Sequence, residues 1–297
     1  MRRRQVASLS ILMVFLCGVD ALAQEGGQAG AFLRRSYGPR ALAMGSAYTA
    51  LAWDASATYW NPAGLPLGTE SQLFISHSFL SFDRRQTFGA ILSQFSEQFA
   101  IGIGILNFGV DDIEGRDASG EETETFSSNE FSGMLSLSGR VGVVSFGITG
   151  KLLYHSILSE SALGYGGDVG ILLRVSPVTI GVVAQDILAR LQWDTESKHA
   201  EDVPMTLRFG GALHFEAFPV TLSLEGMKVA NEETVVVRAG GELRPVRFFG
   251  IRGGYTGNEP TFGVFLRLPS VGRFDYAATR DELSSTLSHH LALSIDF

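Results

Sequence analysis

The sequence predicts an all-β protein: a transmembrane antiparallel β-barrel of about 14 strands with a short N-terminal hatch, or plug, segment. Three observations lead there. The chain opens with an export signal, yet no later segment approaches the ~20 continuous apolar residues that a membrane helix needs. From about residue 71 to the end, apolar and polar residues alternate with the period of two that belongs to strands. Hydrophobic residues make up 45% and charged ones 18%, with 35 glycines, which suits tightly packed, bent strands better than helices. An exported apolar chain without helical spans can satisfy its backbone in a membrane by closing a barrel.

Residues 1–23 read as a cleaved secretory signal peptide. Arg2, Arg3 and Arg4 form the basic start, Leu9 to Val19 the apolar stretch, and Ala21-Leu22-Ala23 the small-x-small cleavage site. Cys17 is the sole cysteine, and Leu16 before it is too large for the usual lipidation site. Cleavage after Ala23 leaves no thiol, so neither a disulfide frame nor a thiolate metal site follows. The formal charge of −8 becomes more negative once the three arginines leave. That disfavours nucleic acid as a partner.

Residues 24–68 read as a periplasmic segment and hatch. Small residues recur at Ala41, Ala43, Gly45, Ala47, Ala50, Ala52, Ala55 and Ala57, while Leu42, Met44, Tyr48 and Leu51 can share one face. The stretch closes with Tyr59-Trp60-Asn61-Pro62-Ala63-Gly64, where a residue before proline leaves the helical region, so a helix ends near Trp60. So many small side chains let a backbone pack closely inside another structure. The run ALAMGSAYTALAWDASATYWNPAGL, from Ala41 to Leu65, resembles the N-terminal signature of the PorV/PorQ outer-membrane proteins, within the wider FadL-like barrel group. The resemblance implies that Met44, Gly45, Tyr48, Trp53, Asp54, Trp60, Asn61, Pro62, Ala63 and Gly64 belong to a hatch leading into the first strand. Trp53 departs from the family, which has a small acidic residue there.

Residues 69–297 read as the barrel. Alternation marks fourteen segments near 71–80, 86–95, 99–108, 129–138, 142–155, 163–174, 177–187, 204–214, 219–229, 234–243, 246–256, 260–268, 271–279 and 286–297. Segments of ~9–11 residues suit tilted membrane strands. Every second connection is tight, and the longest of the others are 109–128 and 188–203, the asymmetry expected of short periplasmic turns and long outer loops. Loop 109–128 carries Asp111, Asp112, Glu114, Asp117, Glu121, Glu122 and Glu124. Without the spacing of a calcium loop, these read as a solvated surface.

Leu291, Leu293, Ile295 and Phe297 share one side of the last strand, and Phe262, Val264, Leu266 and Leu268, with Val235 and Val237, likewise point to lipid. A final Phe297 resembles the signal read by the barrel assembly machinery. Arg208, Glu225, Arg238, Glu242, Arg252, Arg267, Arg273 and Asp275 fall on the opposite, lumen side. On the lipid face a midplane charge costs ~2–4 kcal/mol, so that placement is forced. The expected pairs are Glu225 with Arg238, Glu242 with Arg252 and Asp275 with Arg267, filling a narrow lumen; a polar conduit is the alternative. Trp193, Tyr255 and Tyr276 read as interfacial girdle residues.

No nucleophile elbow, zinc-protease helix, phosphate loop or dinucleotide fingerprint occurs, so the sequence points to no enzyme, metal or cofactor. His289 and His290, adjacent on a strand, face opposite ways. The PorV/PorQ resemblance implies an outer-membrane barrel that docks or shuttles exported cargo proteins with type IX secretion-system components. The alternative is FadL-like transport of a hydrophobic small molecule past a moving hatch.

Overall fold

The alternation resolves into fifteen strands: β1 Gln72–Phe79, β2 Arg84–Ser96, β3 Phe99–Arg116, β4 Glu122–Val141, β5 Val144–Ile157, β6 Glu160–Val175, β7 Val178–Trp193, β8 Ala200–Asp202, β9 Thr206–Phe215, β10 Val220–Val229, β11 Val236–Val246, β12 Phe249–Tyr255, β13 Pro260–Leu268, β14 Gly272–Arg280 and β15 Leu287–Asp296. Each neighbouring pair is antiparallel. β6 pairs β7, β7 pairs β9, and β1 pairs β15 from Gln72↔Asp296 to Phe79↔His289, so the sheet closes. The result is a 14-strand barrel, with β8 as one extra strand on the end of β7. The computed structural model describes residues 28–297 apart from 69, 216–218, 270, 282 and 285. The predicted signal peptide, with Cys17, lies outside them.

Closure places one face of every strand toward lipid. Ile75, Ile103, Leu135, Ile148, Ile171, Leu224 and Phe262 are exposed on the outside, while Phe88, Leu106, Met134 and Leu172 on neighbouring strands are buried within. Phe262, Val264, Leu266, Leu268, Val235, Val237, Leu291 and Phe297 are exposed as alternation requires. The core is the space inside the cylinder, where residues 28–68 lie against the wall. By the rule for bacterial barrels, the end holding the tight turns and both ends of the sheet is periplasmic.

Two expected outer loops are different in the structure. Residues 109–128 are mostly the upper halves of β3 and β4, paired on to Arg116↔Glu122, with only the tip left as a turn. Of the segment 188–203, β7 takes residues up to Trp193 and β8 takes 200–202. Above the membrane both faces of a hairpin are wet, so strands persist there without the apolar alternation that reveals them lower down. The barrel is accordingly taller on the side of β3 to β7, with strands of 14 to 20 residues, than from β9 to β15, with strands of 7 to 11.

Candidate functional site

The candidate site is the lumen with its plug. The hatch enters at the outer end, where a 3-10 turn, Ala31–Arg34, packs Phe32 and Leu33 against Leu153, Ala162, Ala189, Leu191 and Val203 near the tops of β5 to β8. It then descends. A short helix α1, Pro39–Ala43, starts with proline, whose fixed φ suits a first helical turn, and lies on β12 to β14. Helix α2, Ala57–Trp60, stops where Asn61 goes extended before Pro62. The Asn61 Oδ1 accepts from the Ala63 N–H at 3.1 Å and its Nδ2 donates to the Thr49 carbonyl at 3.1 Å, which fixes the turn. A second 3-10 turn, Pro62–Leu67, reaches the periplasmic ends of β4 to β6.

Small residues let this backbone lie directly on the wall. Gly45 has φ 62° and faces the backbones of Ala239 and Tyr255, and a Cβ on Gly240 or Gly254 would run into the backbone of Met44 and Gly45. Large rings fill the remaining centre. Trp60 is wholly buried between Tyr59 and Tyr48, at ring distances of 5.2 and 5.7 Å, and its Nε1 donates to the Tyr37 carbonyl at 3.0 Å. Burial pushes the Tyr59 hydroxyl up to about 12, so it stays protonated and donates to the Leu33 and Arg35 carbonyls. Trp53 lies under Arg174 at 4.1 Å and beside His214 at 4.7 Å.

Six charges then close a ring that ties hatch to wall. Arg40 reaches Glu242 at 3.3 Å, Glu242 binds Arg252 at 2.7 Å, and Arg252 binds Asp275 at 2.5 Å. Asp275 binds Arg273 at 2.7 Å, Arg273 reaches Asp54 at 3.4 Å, and Asp54 returns to Arg40 at 3.6 Å. Signs alternate around the whole circuit, so the ring is neutral although nearly dry. Burial alone would raise the Asp54 carboxyl, but the Arg273 and Arg40 guanidiniums and the Ser56 hydroxyl bonded to it hold it below its ordinary range.

Of the expected pairs of lumen charges, one is a close ion pair with its register neighbour. Glu242 does meet Arg252. Glu225 lies opposite Arg238 in register but bonds Arg208 at 3.2 Å, and its other oxygen accepts the hatch N–H groups of Tyr48 and Thr49 at 2.9 and 2.8 Å. Asp275 takes Arg252 and Arg273 in place of Arg267, which sits at the periplasmic rim 4.0 Å from Asp296. Register brings residues level, but long guanidinium arms reach diagonally to whichever carboxylate is desolvated, and the hatch competes for them. Trp193 is not a girdle residue either: it packs inside the outer mouth, 5.0 Å from the His155 ring.

Sequence reading missed the cluster of Lys151 with Asp168 and Asp186, at 2.8 and 2.6 Å and fully buried. Lys151 and Asp168 occupy inward positions, so the same alternation contains the signal. Asp186 does not, because β7 bulges there. Asp186 and Leu188 have φ of 60° and 52°, the pairing with β9 stops at Gln185↔Thr206, and the pairing with β8 begins only at Arg190↔Asp202. Between those points the β7 ladder is interrupted on that side, apart from the Val203 N–H bond to the Ala189 carbonyl at 2.9 Å. Phe32 and Leu33 of the hatch close this stretch of wall from inside. Immediately above lies a cavity of about 470 Å³ in the outer mouth, bordered by Gln28 to Gly30, Glu130, His155, Leu191, Trp193, Glu201 and Pro204.

No family model and no curated protein matches the chain. Solved structures do. The toluene transporter TodX of Pseudomonas putida is 13% identical with a TM-score of 0.65, over 88% of this chain and 99% of its own. The monoaromatic hydrocarbon channel CymD is 13% identical with a TM-score of 0.61, over 88% and 97%. A FadL homologue of Pseudomonas aeruginosa is 10% identical with a TM-score of 0.55, over 84% and 95%. At these identities the likeness is one of fold: the chain has the 14-strand architecture of FadL-like outer-membrane barrels.

Proposed function

We propose that the protein admits hydrophobic small molecules at its outer mouth and releases them sideways, through the wall between β7 and β9. The observation that carries this reading is the interrupted β7 ladder directly below the mouth cavity, closed from within by Phe32 and Leu33. The axial route runs into a plug whose Trp60 and Tyr59 are wholly buried and whose backbone touches the wall on several sides. An apolar solute leaving sideways enters hydrocarbon at no desolvation cost. The fold neighbours are a toluene transporter and monoaromatic hydrocarbon channels, which favours the same solute class here.

A disulfide lock tests it. A Cβ on Gly30 would lie 2.8 Å from Val203 Cγ1, so cysteines at both positions are within bridging reach. Cells without their own hydrocarbon porin should take up toluene through the Gly30→Cys/Val203→Cys protein when reduced and fall to background when it is oxidised. Equal uptake in both states overturns the sideways route. Surface docking of exported proteins stands second. The tall β3–β4 hairpin favours it, while the comparisons give the PorV/PorQ role no support. A native pull-down that recovers exported proteins in place of an apolar ligand would reverse this order.

A further inference from the structure

Four of the seven strands that descend to the periplasm end in an inward-facing arginine. These are Arg140 on β4, Arg174 on β6, Arg244 on β11 and Arg267 on β13, and His214 takes the equivalent place on β9. Counting by twos from the buried Ser138, Leu172 and Phe265 puts Arg140, Arg174 and Arg267 on the lumen side, and Arg244, beside a register break in β11, reaches the buried Glu242. Arg247 adds a further cation in the β11–β12 turn. Acidic side chains near this rim, among the described residues, are Glu70, Glu97, Asp296 and the inner Glu242, which Arg244 approaches at 3.5 Å. The Arg244 and Arg267 side chains remain more than half exposed. At the opposite end the balance reverses: the β3–β4 hairpin alone carries Asp111, Asp112, Glu114, Asp117, Glu121, Glu122 and Glu124 against Arg116.

We propose that this arginine rim is a docking surface for an acidic segment of a periplasmic protein, seated across the periplasmic opening beneath the hatch. The placement selects the occupant. The arginines stand on the lumen side of the wall: Arg140 Nε donates to the Gly142 carbonyl, Arg174 covers Trp53, and Arg244 and Arg267 only approach Glu242 and Asp296, at 3.5 and 4.0 Å. Arginines two strands apart are ~10 Å from one another, too far for one small anion to bridge. An extended peptide covers that distance in ~3 residues, so carboxylates at such spacing can meet successive arginines. Complementary charge of this kind speeds association and weakens sharply with salt. The rim lies away from the β7–β9 break, so its role and the transport reading can fail separately.

The test uses the full barrel in zwitterionic nanodiscs and a fluorescent deca-glutamate peptide as probe. Saturable binding should weaken about tenfold or more as salt rises from about 50 to about 300 mM. Arg140→Gln/Arg244→Gln/Arg267→Gln should weaken it at least ~10-fold, while Arg116→Gln/Arg190→Gln/Arg280→Gln, the same charge loss at the outer end, should leave it unchanged. Heat-modifiable gel mobility checks that both variants remain folded. Absence of saturable binding, or equal loss in the two variants, overturns the proposal. So does a rim variant that keeps peptide binding and loses only a preference for phosphatidylglycerol nanodiscs, which would make the rim a lipid contact.

Discussion

Glu242 joins the hatch to the wall more directly than any neighbouring strand register requires, because it accepts both Arg40 from α1 and Arg252 from β12 with almost no water. Removing its charge leaves two buried cations underpaired, a change that costs about 3 kcal/mol or more. Glu242→Gln should therefore unfold at clearly lower denaturant, with the hatch becoming accessible to protease first; unchanged protection would remove the ring as a clamp. Asp54 gives the same ring a pH dependence. Its carboxyl is held below its ordinary value of 3.8, chiefly by Arg273 and Arg40 against the opposing effect of burial. The unfolded chain therefore takes up the proton first as pH falls, so the contribution is whole at neutral pH and is lost on acidification below about 4. Hatch proteolysis should rise in that range, and Asp54→Asn should abolish the step. A step of the same size in Asp54→Asn would assign it to another group.

At the scale of elements, the hatch is held in three ways. Residues 39–54 are fixed by charge to β10 to β14, and residues 57–67 by close backbone contact to β2 to β6. Apolar packing carries the outer strap around Phe32 and Leu33. The β3–β4 hairpin is different again. Its tip is exposed on all sides and its ion pairs, such as Arg116 with Glu114 and Glu122 at 3.1 and 3.0 Å, are open to solvent and contribute little. Replacing residues 112–124 with a short turn should leave barrel stability within about 1 kcal/mol of the parent in denaturant titration. A large loss would show that the tall side braces the barrel.

For the whole molecule, the closing pair β1–β15 decides whether a cylinder forms. Phe297 extends that pair, its N–H donating to the Ser71 carbonyl at 2.9 Å while its side chain lies exposed. An exposed ring adds little to folded stability, so we propose that it acts during assembly. Deleting Phe297 should reduce the amount of barrel reaching the outer membrane while leaving the purified protein's unfolding transition unchanged. A lower transition with normal insertion would make it a structural residue.

Much of this architecture was legible in the chain. Alternation located all fourteen wall strands, because lipid outside and a packed lumen inside impose opposite solvents on successive side chains, as at Phe262 to Leu268 and Leu291 to Phe297. Small-residue spacing and Asn61-Pro62 marked a segment able to pack inside, and the end of α2 at Trp60 followed from local sterics. What only the tertiary structure decided was who meets whom. Glu225 turns to Arg208 and two hatch amides, Asp275 closes a six-membered ring, and Asp186 joins Lys151 through a bulge that breaks the period of two. Local sequence sets which face a residue presents. The partner of a buried charge is set by every other charge brought into the same dry space, and that depends on closing the barrel around its plug.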